Sequence, residues 1–345
     1  MMPSRWARRL EAAAWRWKER RRFRRYRIGD PDDPFDAELR LVLAIDWPLE
    51  TALDIGANNG RYAFRLLRGG VSPDRLHLFE PLPDLHDRLR DRLCDPLPEA
   101  CIHPIALSDR SGAASVTVPR IRGRRCASRA SLETYRERGQ TGAETVQVRT
   151  EPLDRVVENL RTDRRLDRIG FIKIDVEGHE WTVVRGGQRV LEAHRPLLLV
   201  EIEQRHHEES IDAIFDWLHQ RGFEGYFLDP GSLRLRSVEQ FDLERHQRLE
   251  DLEQRRLTRY VNNFLFEGPR RFSMRVPGCC PDSSPAANRG RFGRLASCFC
   301  RSKKEPAPLD GAGCKGAPSA PFGQVQLAGK SRLKITVEPS RTSIS

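Results

Sequence analysis

LDIGANNGRY, residues 53–62, decides how the rest of the chain is read. Leu53, Asp54 and Ile55 have the character of a buried strand end, and an amphipathic helix follows Gly60 at once. Gly56 and Gly60 permit positive φ and a close approach of backbone to a ligand. A strand, a glycine-rich turn and a helix make a nucleotide-type site, because free N–H groups at a helix N-terminus suit a polar ligand. Two features argue against a phosphate. A carboxylate at Asp54 repels a pyrophosphate but attracts an amine or other cation, and the spacing G-x-N-x-G is not the dinucleotide G-x-G-x-x-G.

The next strand end, LHLFEP, supplies Glu80, 20 residues after Gly60. A carboxylate there can accept both hydroxyls of a ribose. Acids at the first two strand ends, without a phosphate-binding lysine, suit S-adenosylmethionine (SAM), which has an ammonium, a sulfonium and a ribose diol but no phosphate. The third strand end, IALSDRSG, places Ser108 and Asp109 where an adenine amino group needs an acceptor. Asp109 can equally start a turn with Gly112. At the fourth, FIKIDVEGHEW, Asp175 ends a buried strand, and Glu177, Gly178 and His179 form the loop before a helix.

Outward from these motifs, apolar runs alternate with helical stretches. Strands are expected at 50–55, 75–80, 101–107, 169–174, 196–202, 225–229 and 261–266. Helices are expected at 36–45, 60–68, 83–93, 152–160, 180–193 and 208–221. That alternation predicts an α/β fold, a Rossmann-like sheet with helices on both faces. Residues 111–149 break the pattern and read as a β-rich insertion after the third strand, carrying a mobile Arg-rich loop.

The ordered motifs LDIGANNGRY, LFEPLP, ALSDRSG, IKIDVEGHEWTVVRG and LLLVEIE resemble the FkbM-type SAM-dependent methyltransferases over roughly residues 50–267. The resemblance implies a class I methyltransferase fold and O-methylation, usually of a hydroxyl on a sugar or other natural product. It implies cofactor contacts at Asp54, Gly56, Asn58, Gly60 and Glu80.

Methyl transfer to oxygen is an in-line displacement that needs the acceptor proton removed, so Asp175, Glu177 and His179 are the catalytic candidates. His179 has the most suitable ordinary pKa, yet can simply cap or pack the helix start. Two close acids could collect a divalent metal, joined by Glu201 or Glu203, but a metal is not favoured. By alternation Lys173 points away from Ile172 and Ile174, toward a carboxylate or the site rim. His206 and His207 either line an acceptor pocket or begin a solvated helix. His77 and His103 read as core or edge residues. Arg120, Arg122, Arg124 and Arg125 either hold an anionic acceptor or sit on a plain surface loop.

The net charge of +11 belongs to the ends. Residues 1–27 carry about +9 and residues 278–345 about +7, against about −5 for the middle. Three regions follow: a basic amphipathic arm (1–28), the methyltransferase-like domain (29–277), and a tail (278–345) rich in Pro, Gly and Ser that reads as disordered. In the arm, Trp6, Leu10, Ala13, Ala14 and Trp17 form one stripe, which suits an anionic membrane surface, a solvated arm or a helix packed on the domain. With no spanning stretch and no signal peptide, the expected location is cytoplasmic, peripheral at a membrane if the arm binds one. Five of the eight cysteines (Cys279, Cys280, Cys298, Cys300, Cys314) lie in the tail without the spacing of a zinc module. The reading is an O-methyltransferase acting on a glycan, glycolipid or related metabolite. The alternative, a nucleic-acid-binding protein or RNA methyltransferase using the basic arms, is opposed by the acidic middle. Oligomeric state is not legible.

Overall fold

The structure, a computed structural model, describes residues 10–19, 37–44, 50–93, 98, 101–162, 166, 168–232, 234–253, 260–268, 327–328 and 332–333. Trp6, the linker at 29–34 and nearly all of the tail, with its cysteines, lie outside the described residues.

In chain order, α1 covers 10–19 and α2 Ala37–Ala44. Next come β1 (Thr51–Ile55), α3 (Arg61–Arg68), β2 (Leu76–Phe79), α4 (Pro83–Leu93), β3 (Ile102–His103) and β4 (Ala106–Ser108). The insertion comprises β5 (Gly112–Ile121), β6 (Arg124–Arg125) and β7 (Gln140–Pro152). Then follow α5 (Leu153–Thr162), β8 (Ile169–Ile174), α6 (Glu180–Gly186), α7 (Gln188–His194), β9 (Leu197–Glu201) and α8 (Asp212–Gln220). The remaining elements are β10 (Glu224–Asp229), β11 (Arg234–Ser237), α9 (Leu243–His246), α10 (Leu249–Glu253) and β12 (Asn263–Glu267), with the short pair β13 (Leu327–Ala328) and β14 (Arg332–Leu333).

One sheet has the order β11-β10-β12-β9-β8-β1-β2-β3. Strands β3, β2, β1, β8 and β9 run parallel, and β12 is antiparallel between β9 and β10. This is the expected α/β sheet with helices on both faces. Its strands are apolar on both faces because crossover helices cover both. Ile55, Ile172, Ile174, Leu198 and Val200 pack with α5–α8. Ala52, Phe171, Leu197 and Leu199 pack with α2, α3 and α4.

Three local expectations change. The strand read at 101–107 is two strands in two sheets. Pro104 has no N–H to pair, and the chain leaves the main sheet there, so β4 joins β7 in a smaller sheet, β4-β7-β5-β6. The helix read at 180–193 breaks at Gly187 into α6 and α7. The Arg-rich loop read as mobile is pinned: Thr117 and Ser131 exchange backbone hydrogen bonds, Arg125 grips Asp84 and Glu144, and the Ser131 hydroxyl donates to the Glu177 carbonyl.

Helix α1 packs on the domain. Trp15 meets Phe64 edge-on at 5.4 Å, Arg16 donates to the Arg92 carbonyl at 2.9 Å, and buried Glu19 faces Arg61 at 3.6 Å. The stripe Leu10, Ala13, Ala14 and Trp17 lies on its exposed face. Among the described residues no helix is long and apolar enough to cross a membrane.

Candidate functional site

The carboxyl ends of β1, β2 and β8 open into a cleft with an empty volume of about 650 Å³. Its floor is the turn of the opening motif. Gly56, Asn58 and Gly60 all have left-handed backbone, with φ of 80°, 47° and 78°. A Cβ on Gly56 would lie 1.8 Å from the Asp175 carbonyl oxygen, so that glycine lets β1 and β8 close on one another. Gly60 caps α3.

Glu80 is buried on the cleft wall. Its Oε2 accepts the Asn58 N–H at 2.8 Å and its Oε1 accepts the Leu82 N–H at 2.9 Å. Burial pushes its carboxyl up to about 7, although both amides pull it down. Each oxygen keeps a second lone pair. Beyond Glu80 the wall is apolar, with Leu82, Ile105 and Leu107 from the main domain and Val116, Ala130 and Leu132 from the insertion.

A second cleft, with an empty volume of about 740 Å³, shares Gly56, Asn58 and Asp175 with the first. It is polar, lined by Glu38, Asn59, Arg61, Tyr62, Lys173, Glu201 and Asn263. The two clefts therefore meet across the Gly56–Asn58 turn and Asp175.

Asp54 does not reach either cleft. It is fully buried behind the turn, directly across from Lys173 in the β1–β8 register, with the Lys173 ammonium 3.5 Å from its Oδ1. Neither carboxylate oxygen meets a hydrogen bond of good geometry. Burial raises its pKa, and Lys173 opposes that rise. The cation that Asp54 attracts is thus one of the chain's own residues. Lys173 also donates to Asp175 Oδ2 at 2.9 Å, the carboxylate of the first catalytic candidate. Burial alone lowers the Lys173 pKa, but Asp175 and Asp54 outweigh it and the net shift is upward.

His179 and Ser108 are brought together, and a residue that sequence reading missed joins them. His179 Nδ1 lies 2.5 Å from Glu133 Oε1, and its Nε2 lies 3.0 Å from Ser108 Oγ. A carboxylate at Nδ1 selects the Nδ1–H tautomer and leaves Nε2 to accept the Ser108 hydroxyl proton. The His179 bond holds the Glu133 carboxyl below its usual value. Asp109 is not brought to the site: with β4 outside the main sheet, it is exposed and held by Arg185 at 3.3 Å. Two of the four arginines of the cluster are likewise turned to the chain's own carboxylates, Arg125 to Asp84 and both Arg120 and Arg125 to Glu144.

Glu177 sits in left-handed conformation (φ 52°) on the cleft rim. Burial, then Asp175 and Glu203, push its carboxyl well above the usual range. His206 and His207 are not solvated. His206 is buried under Tyr135, with ring centroids 4.4 Å apart, and His207 faces Glu180 at 3.4 Å. Glu203, one of the metal candidates, is committed to Arg205 and to the Tyr260 hydroxyl at 2.8 Å. Glu201 accepts from Asn262 at 2.6 Å. His77 and His103 stack within the sheet at 5.3 Å.

No curated protein sequence matches the chain. A crystal structure of methyltransferase FkbM from Methylobacillus flagellatus KT is 16% identical, covering 63% of this chain and 43% of that chain, with a TM-score of 0.38. This chain thus spans less than half the length of that protein. The family described as the methyltransferase FkbM domain matches residues 54–224, from Asp54 at the end of β1 to the first residue of β10. Residues 54–224 thus carry a methyltransferase FkbM domain.

Proposed function

We propose that the protein transfers a methyl group from SAM to a hydroxyl of a glycan, glycolipid or related metabolite. The observation that carries the cofactor is Glu80: a buried carboxylate, fixed by two backbone amides, on the wall between a left-handed glycine turn and an apolar recess. Glu80 offers its remaining lone pairs to a ribose diol. Leu82, Ile105 and Leu107 offer an apolar recess for a purine. The polar second cleft offers Asp175 and Glu201 to an ammonium, and Arg61 and Asn59 to a carboxylate. Bound there, SAM supplies a methyl group on a sulfonium, activated for displacement.

The chain's own part is to hold the acceptor and take its proton. His179, oriented by Glu133, is the base, and Ser108 occupies Nε2 until an acceptor hydroxyl takes its place. The insertion residues Ala127, Ser128 and Leu132 line the first cleft together with His179 and are offered as the wall of the acceptor side. The sugar-containing class of acceptor rests on the family resemblance.

The test is calorimetric titration of the full chain with SAM. Glu80→Ala is expected to abolish measurable binding. Because the Glu80 carboxyl titrates near 7 and the diol binds its ionised form, wild-type affinity is expected to rise with pH, to about tenfold tighter at pH 8 than at pH 6. Glu80→Gln removes that pH dependence. Wild-type affinity in Glu80→Ala would remove the cofactor from this cleft.

A further inference from the structure

We infer that Glu137, Glu177 and His206 form a binding site for a divalent cation beside the cleft. Each offers one ligand atom, and these atoms lie within 4.8 Å of one another. His206 Nε2 is 3.8 Å from Glu177 Oε2 and 4.0 Å from Glu137 Oε1. A cation bound at about 2.0–2.2 Å from each would draw the three slightly closer.

The decisive atom is His206 Nε2. The side chain is only 3% exposed, and Nε2 has no hydrogen-bond partner among the described residues. An unpaired nitrogen at such depth costs free energy unless a partner satisfies it. It is aimed at the two carboxylates, and the Tyr135 ring above it fixes the imidazole plane. Three separate segments converge here: the pinned insertion loop brings Glu137, the loop after β8 brings Glu177, and the loop after β9 brings His206.

Glu137 is held for this role from behind. Its Oε2 accepts Arg129 at 2.6 Å and its Oε1 accepts Arg205 at 3.0 Å. A carboxylate has about four acceptor positions, so Oε1 keeps one. Arg205 opposes a cation, but it is itself claimed by Glu203. Around Glu177 the charges of Asp175, Glu203 and Glu180 act with its own. Two carboxylate oxygens and one imidazole suit Mn²⁺ or another borderline-hard divalent ion. Glu177 also lines the cleft, so a cation there could polarise an acceptor oxygen. That role rests on the methyl-transfer reading, whereas cation binding does not.

The experiment is titration of the full chain with Mn²⁺ alone, without SAM or acceptor, followed by electron paramagnetic resonance. Mn²⁺ is chosen because it avoids the thiolates of the tail. One bound ion per chain is expected, with an electron-spin-echo modulation from one imidazole nitrogen. His206→Ala should lose that modulation and weaken binding at least tenfold. Glu177→Gln should weaken binding similarly, with circular dichroism unchanged in both. Absence of binding by the folded chain at millimolar Mn²⁺ overturns the site. So does binding that shows no nitrogen coupling and is indifferent to both substitutions. Cation binding without SAM binding would leave this site standing and sink the methyl-transfer reading.

Discussion

Replacing His179 with glutamine is expected to slow methyl transfer by about 10²–10⁴-fold while SAM affinity stays within a few-fold of wild type. The shorter amide side chain can still fill the space between Glu133 and Ser108, but it cannot accept a proton. The effect should therefore fall on the chemical step. The readout is transfer of labelled methyl from SAM into a glycan and glycolipid extract, beside calorimetry with SAM on the same preparations. Glu133 touches only the imidazole in this scheme, so Glu133→Gln should cost less. The double variant should be no slower than His179→Gln alone, because two residues acting as one unit are not additive. Loss of SAM affinity in His179→Gln would reassign the imidazole to the cofactor wall. Full activity in the variant would remove it from the site altogether.

Much of the sheet could be read from the sequence because its strands are buried on both faces and are bounded by glycine-rich turns. Gly56 and Gly60 marked the turn after β1 for a local reason: both positions have φ near +80°. Lys173 was placed opposite Ile172 and Ile174 by alternation, and the register sets it against Asp54. What could not be read depends on contacts remote in sequence. Glu133 and Glu137 lie in a stretch with no apolar period, and the Thr117–Ser131 bridge, the Ser131–Glu177 bond and the Arg205–Glu137 pair carry them to His179 and His206. The departure at Pro104 was visible as a residue without an N–H, yet nothing local says that the chain changes sheets there. That one step explains why Asp109 points to Arg185 rather than to the cleft.

The buried charges behind the turn carry the second large effect. Lys173→Met is expected to destabilise the domain by about 3–5 kcal/mol, the usual cost of removing one partner from a buried ion pair. At roughly 2–4 °C per kcal/mol for a domain of this size, the midpoint of thermal unfolding should drop by about 6–20 °C. The reason is specific to the register. Asp54 is fully buried, lacks a well-formed hydrogen bond, and has the Lys173 ammonium as its compensating charge at 3.5 Å. Asp175 loses the same partner but is partly exposed and can be solvated. Burial already raises the Asp54 pKa, so its contribution to stability is present below its unfolded value and is lost as pH rises through the folded one. Without Lys173 that folded pKa moves higher still. The deficit of Lys173→Met relative to wild type should therefore grow with pH and shrink as the pH falls, because a protonated Asp54 needs no cation. Asp54→Asn alone should cost less, since Lys173 keeps Asp175. Combined with Lys173→Met it should recover about 0.5–3 kcal/mol, the coupling expected of residues in direct contact. Strict additivity across the cycle, or a deficit independent of pH, would mean that Lys173 stabilises the fold through the packing of its alkyl chain rather than through its charge.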